Sequence, residues 1–128
     1  MKRLICVLLT LAFLIGISTY EVINIRKITT KLDSEITNLV DVYDNNRTDI
    51  TIIYDNVRSV KDWWDSIEDA ICLMFNHKDL NYISDSLTKL TTYTKENDFD
   101  NAFAEVNLLK EFTNKCQHFM GFNIHNVL

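Results

Sequence analysis

Apolar side chains follow two different patterns along this chain. From Leu4 to Tyr20 they are broken only by small or hydroxylic residues and carry no charge; beyond Ile25 they recur every third or fourth residue among polar neighbours. As a helix rising ~1.5 Å per residue, the first stretch spans about 26 Å, close to the apolar thickness of a bilayer. The second pattern is that of helices with one buried stripe.

Ile25, Ile28, Leu32, Ile36, Leu39 and Tyr43 predict one helix running from the apolar stretch to about Asp44. The segment Asn45 to Asp49 breaks it, because adjacent asparagines tolerate left-handed geometry and Thr48 or Asp49 can cap a new helix. A second stripe runs from Ile50 through Ile53, Val57, Val60, Trp64, Ile67 and Ile71 to Phe75. The strand-prone run Thr51 to Tyr54 lies inside it and should yield to the helical pattern on both sides. A third helix is expected near Asp79 with Leu80, Ile83, Leu87 and Leu90 buried, ended by Asn97. Asp98 then caps a fourth, carrying Phe99, Ala102, Phe103, Val106, Leu109, Phe112, Cys116 and Met120 and stopping near Gly121. With Pro 0 and Gly 2, little interrupts long helices. The fold class is therefore all-α: one N-terminal transmembrane or signal-anchor helix, then an antiparallel bundle of about four amphipathic helices. Residues 1–20 read as the membrane anchor and residues 21–128 as a single helical domain.

Charge divides at the same place. Among 128 residues there are 13 Lys and Arg against 18 Asp and Glu. All the acids lie at or beyond Glu21, whereas Lys2 and Arg3 precede the apolar stretch, so the domain's basic residues number 11. Such an acidic field disfavours both phosphate backbones and anionic lipid head groups, and nucleic acid is not an expected partner. The short basic tail before an export-like apolar run sets residue 1 in the cytoplasm and the domain outside, although Arg26, Lys27 and Lys31 compete on the other flank. The alternative is a cleaved signal peptide, with Gly16 and Ser18 spaced for a cut after Ser18. Against it, no Ala-x-Ala is present and the helical pattern continues through the site.

Few residues point to chemistry. Trp63 and Trp64 sit among acids and should diverge by about 100° on a helix, Trp64 into the core and Trp63 at its edge, as a contact hot spot or a seat for a cation. His77 and Asp79 lie where the second and third helices meet, and Tyr82 offers an exposed aromatic. No H-x-x-x-H, paired-cysteine or Glu-x-x-His spacing occurs, so neither metal nor cofactor is expected. The stretch Asp44 to Asp55 imitates a calcium loop only loosely, with Asp49 where glycine is needed. Cys72 and Cys116 can pair in an oxidising compartment, yet both occupy apolar helical positions that suit buried thiols. His118 is two residues from Cys116, and at that spacing the side chains diverge on a helix. With no phosphate loop or nucleophile elbow, the chain is not expected to be an enzyme.

Several of these residues form a sparse pattern: Trp63, then His77-x-Asp79-Leu80-x-x-Ile83, Ser86-Leu87-x-x-Leu90, and Asp98 with Ala102, Glu105 and Leu109, closing on Asn123-Ile124. This resembles the bacterial family catalogued as domain of unknown function four-three-six-three, over most of the chain and with the membrane segment included. The resemblance implies short proteins of low-GC Gram-positive bacteria with one N-terminal membrane segment, working beside a multi-spanning membrane protein. It implies no activity and no residues of proven role; His77 and Asn123 stand where the family favours those residue types. The ending from Asn123 to Leu128 runs past the family's usual stop.

The expected protein is a single-pass protein of the cytoplasmic membrane: a non-catalytic helical interaction module at the outer face, accessory to an integral membrane protein. Residues 4–20 contact lipid, self-association is a further possibility, and the candidate contact residues are Trp63, Trp64, His77, Asp79, Tyr82 and Asn123. The alternatives are a small-ligand sensor with a cavity lined by Tyr54, Trp64, His77 and Tyr93, or a secreted helical protein cut near Ser18.

Overall fold

A computed structural model describes the backbone of residues 1–127 and the side chains of residues 1–118. Four helices follow in order: α1 (Lys2–Asn45), α2 (Ile50–Ile71), α3 (His77–Lys95) and α4 (Phe99–Val127). Each break has a local cause. The Asp49 carboxylate accepts from the backbone N–H groups of Thr51 and Ile52 at 3.1 and 3.4 Å, capping α2. Asn76 caps α3 by accepting from Lys78 N–H at 2.9 Å. Asn97 takes a left-handed φ of 60° to end α3, and Asp98 accepts from Asn101 N–H at 3.3 Å to open α4.

Three boundaries differ from the periodicity. α2 ends at Ile71, so Phe75 belongs to the α2–α3 connection, from which its ring still packs on the core. The N–H groups of Met74 and Phe75 both bond back to the Ile71 carbonyl, closing the turn. α3 begins at His77, two residues before Asp79, because Asn76 supplies its cap. α4 continues past Gly121 to Val127; a lone glycine lowers helix stability by only about 1 kcal/mol and does not by itself end a helix.

α1 has 44 residues and is about 66 Å long at 1.5 Å per residue. Its two halves have different surroundings. From Lys2 to Ile23 every side chain is exposed, and burial begins with Asn24 and Ile25. The first half is long and apolar enough to cross a membrane, a test of length and composition that a signal sequence also passes.

The second half is one member of a four-helix bundle. α1 packs on α2 and α4, and α3 packs on the same two helices, so successive helices are neighbours and α4 closes the ring onto α1. The helices bury Leu32, Ile36, Leu39 and Tyr43 from α1, Ile53, Val57, Val60 and Trp64 from α2, Ile83, Leu87 and Leu90 from α3, and Ala102, Val106 and Leu109 from α4. Four threonine or serine hydroxyl residues share that interior, namely Thr29, Ser86, Thr94 and Thr113. Thr94 gives its proton to the Leu90 carbonyl at 2.6 Å, which leaves Tyr43 to donate to Thr94 at 2.6 Å across the bundle. No buried side-chain polar atom among the described residues lacks a hydrogen-bond partner.

The two ends of the bundle are unlike. One holds the α1–α2 and α3–α4 connections, where the Arg47 guanidinium lies 5.6 Å from the rings of both Phe99 and Phe103. The other holds the α2–α3 connection and is the end from which the apolar half of α1 emerges.

Candidate functional site

The sequence-derived candidates fall on two separate seams of the bundle. Trp63 lies on the α1–α2 seam, half-buried, with the Lys31 ammonium 4.6 Å from its ring centroid. A cation therefore does sit on Trp63, but the protein supplies it from α1. The indole is covered on that face, and what it holds is the pairing of the two helices.

Trp64 is fully buried, as the divergence of the two rings predicts. Its indole N–H donates to Ser84 Oγ at 2.8 Å, and Ser84 donates in turn to Glu68 Oε1 at 2.7 Å. The chain carries the buried donor out to a charged acceptor and ties α2 to α3 at one level. Trp64 is thus a core residue with a satisfied polar tip.

On the α3–α4 seam, Tyr82 tilts against Phe112 with ring centroids 4.5 Å apart, leaving its outer edge in solvent. Asp79 is half-buried near Cys116, whose thiol is pushed up from its ordinary value of 9.0, first by burial and then by the Asp79 charge. A thiol held protonated in this way is a poor nucleophile and a quiet packing group. Cys6, Cys72 and Cys116 are free thiols in this structure. His77 is the first residue of α3 and is exposed. Asn123 lies outside the residues whose side chains are described.

These side chains do not converge. Because α1 and α2 form one side of the ring and α3 and α4 the opposite side, Trp63 cannot share a surface site with Asp79 and Tyr82. Tyr54, Trp64, His77 and Tyr93 do not line a common space either, since His77 opens α3 while Tyr93 is near its end, about 24 Å along the axis. An interior cavity between Tyr43, Ile53, Thr94 and Ala102 measures about 10 Å³, room for about one water molecule. Among the described residues no group of three or more His, Cys, Asp or Glu side chains is placed to hold a metal ion.

One functional-looking contact escaped the sequence reading. Asp33, a polar residue between two stripe positions, accepts from both Lys110 Nζ and Thr113 Oγ1 at 2.8 Å on a single oxygen. It joins α1 to α4 across 77 residues of sequence, in a partly buried ion pair. Only the spacing of Thr113, four residues after Leu109, hints that it faces inward.

Charge is concentrated where α1 leaves the bundle. Ile23, Arg26, Lys27, Thr30, Lys31 and Ser34 border an open groove there of about 640 Å³. Three cations of a net-acidic domain thus stand together on α1 beside its apolar rod.

Comparison with known proteins agrees with the sparse sequence pattern. The family model described as Domain of unknown function (DUF4363) matches residues 19–127. The match starts after the apolar stretch has nearly ended, so most of that stretch lies outside it, and it continues almost to the last residue, so the ending does not run past the family. No curated protein matches the chain. No solved structure matches it.

Proposed function

The chain belongs to the family of domain of unknown function DUF4363, and on that premise we propose that it is a membrane-tethered, non-catalytic interaction module. The observation that carries this reading is the single helix α1, wholly exposed and apolar in its first half and part of the bundle core in its second. Such a rod is unfavourable in water, because the exposed Leu, Ile, Val and Phe side chains of residues 4–23 form one contiguous apolar surface. Lipid removes that surface from water.

The basic tail Lys2-Arg3 stays in the cytoplasm and the bundle stands at the outer face of the cytoplasmic membrane. The unbroken helix holds the bundle against the bilayer, where high local concentration turns weak contacts with an integral membrane protein into stable ones. The exposed edge of Tyr82 and the first turn of α3 around His77 are the contact surface for that partner.

Membrane fractionation combined with the mass of the mature chain tests the tether. The expected result is a full-length chain that stays with membranes after alkaline carbonate washing and whose bundle is open to protease from outside. A soluble chain lacking its first eighteen residues would identify a secreted protein instead. Crosslinking in intact cells tests the partner: one integral membrane protein should be recovered repeatedly, and less of it after Tyr82→Ala.

A further inference from the structure

The α2–α3 connection carries the most exposed large apolar side chain of the bundle among the described residues. Leu73 is 95% exposed, against 43% for Ile52, 37% for Tyr82 and 52% for Leu108. Its neighbours Ile71 and Phe75 pack on the core, so the turn is anchored and Leu73 alone projects from its tip. No charge occurs from Cys72 to Asn76.

Contacts between helices show how far along α1 this tip lies. α2 runs antiparallel to α1, with Trp63 beside Lys31; counting equally along both helices brings Ile71 level with Ile23. α3 runs parallel to α1, with Tyr43 opposite Thr94; counting back equally brings His77 level with Arg26. The two registers agree to within about 5 Å at 1.5 Å per residue. The tip thus stands level with Ile23 to Lys27, just beyond the end of the apolar stretch closed by Tyr20.

Resting on the tether reading above, we infer that the α2–α3 tip is a second membrane contact, with Leu73 seated in the lipid interface beside the point where α1 enters. The occupant is lipid because the tip lies at the depth where the same chain changes from aqueous to apolar surroundings. A turn with unpaired backbone groups belongs in the hydrated interface rather than the hydrocarbon, and the Tyr20 level is that interface. Two contacts at one level, one on α1 and one across the bundle, fix the tilt and rotation of the bundle on the membrane. A single helix would leave it free to swivel. The face presented to a neighbouring membrane protein is thereby defined.

The test uses the unmodified full chain in phosphatidylcholine vesicles doped with a phosphatidylcholine carrying a diazirine on the acyl chain near the glycerol. After irradiation and trypsin digestion, lipid adducts are mapped by mass spectrometry. Adducts are expected on the peptide Leu4–Arg26 and, within Asp62–Lys78, on residues 73–75, with none on Thr48–Arg58 at the far end. Leu73→Asp should lower the adduct yield on Asp62–Lys78 several-fold and leave that on Leu4–Arg26 unchanged. Adducts on Leu4–Arg26 without any on Asp62–Lys78 would overturn the second contact and leave the tether standing. Absence of adducts on both peptides would overturn the tether and the second contact together.

Discussion

Leu11 and Leu39 occupy the same helix, yet Leu11 is 54% exposed and Leu39 is 0% exposed. The two halves of α1 share a helical backbone and differ in apolar content and in what surrounds them. Around Leu39 the charged residues lie on one side and the apolar residues on the other, so its two neighbours, α2 and α4, can cover the apolar side. Around Leu11 all sides are apolar, and no partner helix of this chain reaches it. A helix apolar on every face needs a solvent that covers every face, which on the proposed tether is lipid, whereas a one-striped helix needs only protein neighbours.

The comparison can be broken most forcefully at Trp64. Trp64→Ala should destabilise the bundle by about 3–5 kcal/mol, as a large buried aromatic removed from a packed core, whereas Leu11→Ala should leave the unfolding midpoint unchanged. Denaturant unfolding of the full chain in detergent micelles, followed by circular dichroism, checks both. Equal losses from the two substitutions would mean that the halves of α1 are not independent.

Next in size is the clamp between α1 and α4. Asp33→Ala leaves the Lys110 ammonium without its carboxylate and the Thr113 hydroxyl with only the Lys110 carbonyl. The expected loss is about 1–3 kcal/mol. The double-mutant cycle with Lys110→Met should return a clear coupling energy if the pair acts as the geometry indicates.

Tyr43→Phe is expected to cost about 1 kcal/mol, the net worth of one hydrogen bond. It also alters the alkaline behaviour. Burial pushes the Tyr43 hydroxyl above its ordinary value of 10.0. The folded state therefore favours the neutral phenol: its stabilisation is complete below pH 10 and is lost as pH rises through the elevated folded value. Melting curves from pH 8 to 11 should fall more steeply for the native chain than for the phenylalanine variant.

The smallest effect is expected where the α1–α2 seam meets water. Lys31→Met removes the cation over Trp63 at a cost of about 0.5 kcal/mol. A shift in tryptophan emission without a change in helix content would report it.

Much of this architecture can be read locally. Periods of three and four name the buried faces, Asp49, Asn76 and Asp98 cap their helices through neighbours two or three residues on, and Asn97 supplies the left-handed turn. The misses share a cause. Phe75 continues the α2 stripe in number but not in helix, and Asp33 and Thr113 look like surface residues until α4 is brought beside α1. The family pattern was legible in scattered residues from Trp63 onward, while the distribution of the candidates over opposite seams was not.

The amino-acid order alone determined the class of this protein: helices throughout, a charge-free apolar head, an acidic remainder with one stripe per helix. Each of those properties depends on residues within a turn or two of each other, or on composition. Only the tertiary structure decided that Lys31 lies over Trp63, that Asp33 holds α4, and that Leu73 stands level with the end of the apolar stretch. Those are relations between helices far apart in the chain, and their register comes from how the side chains of all four interlock.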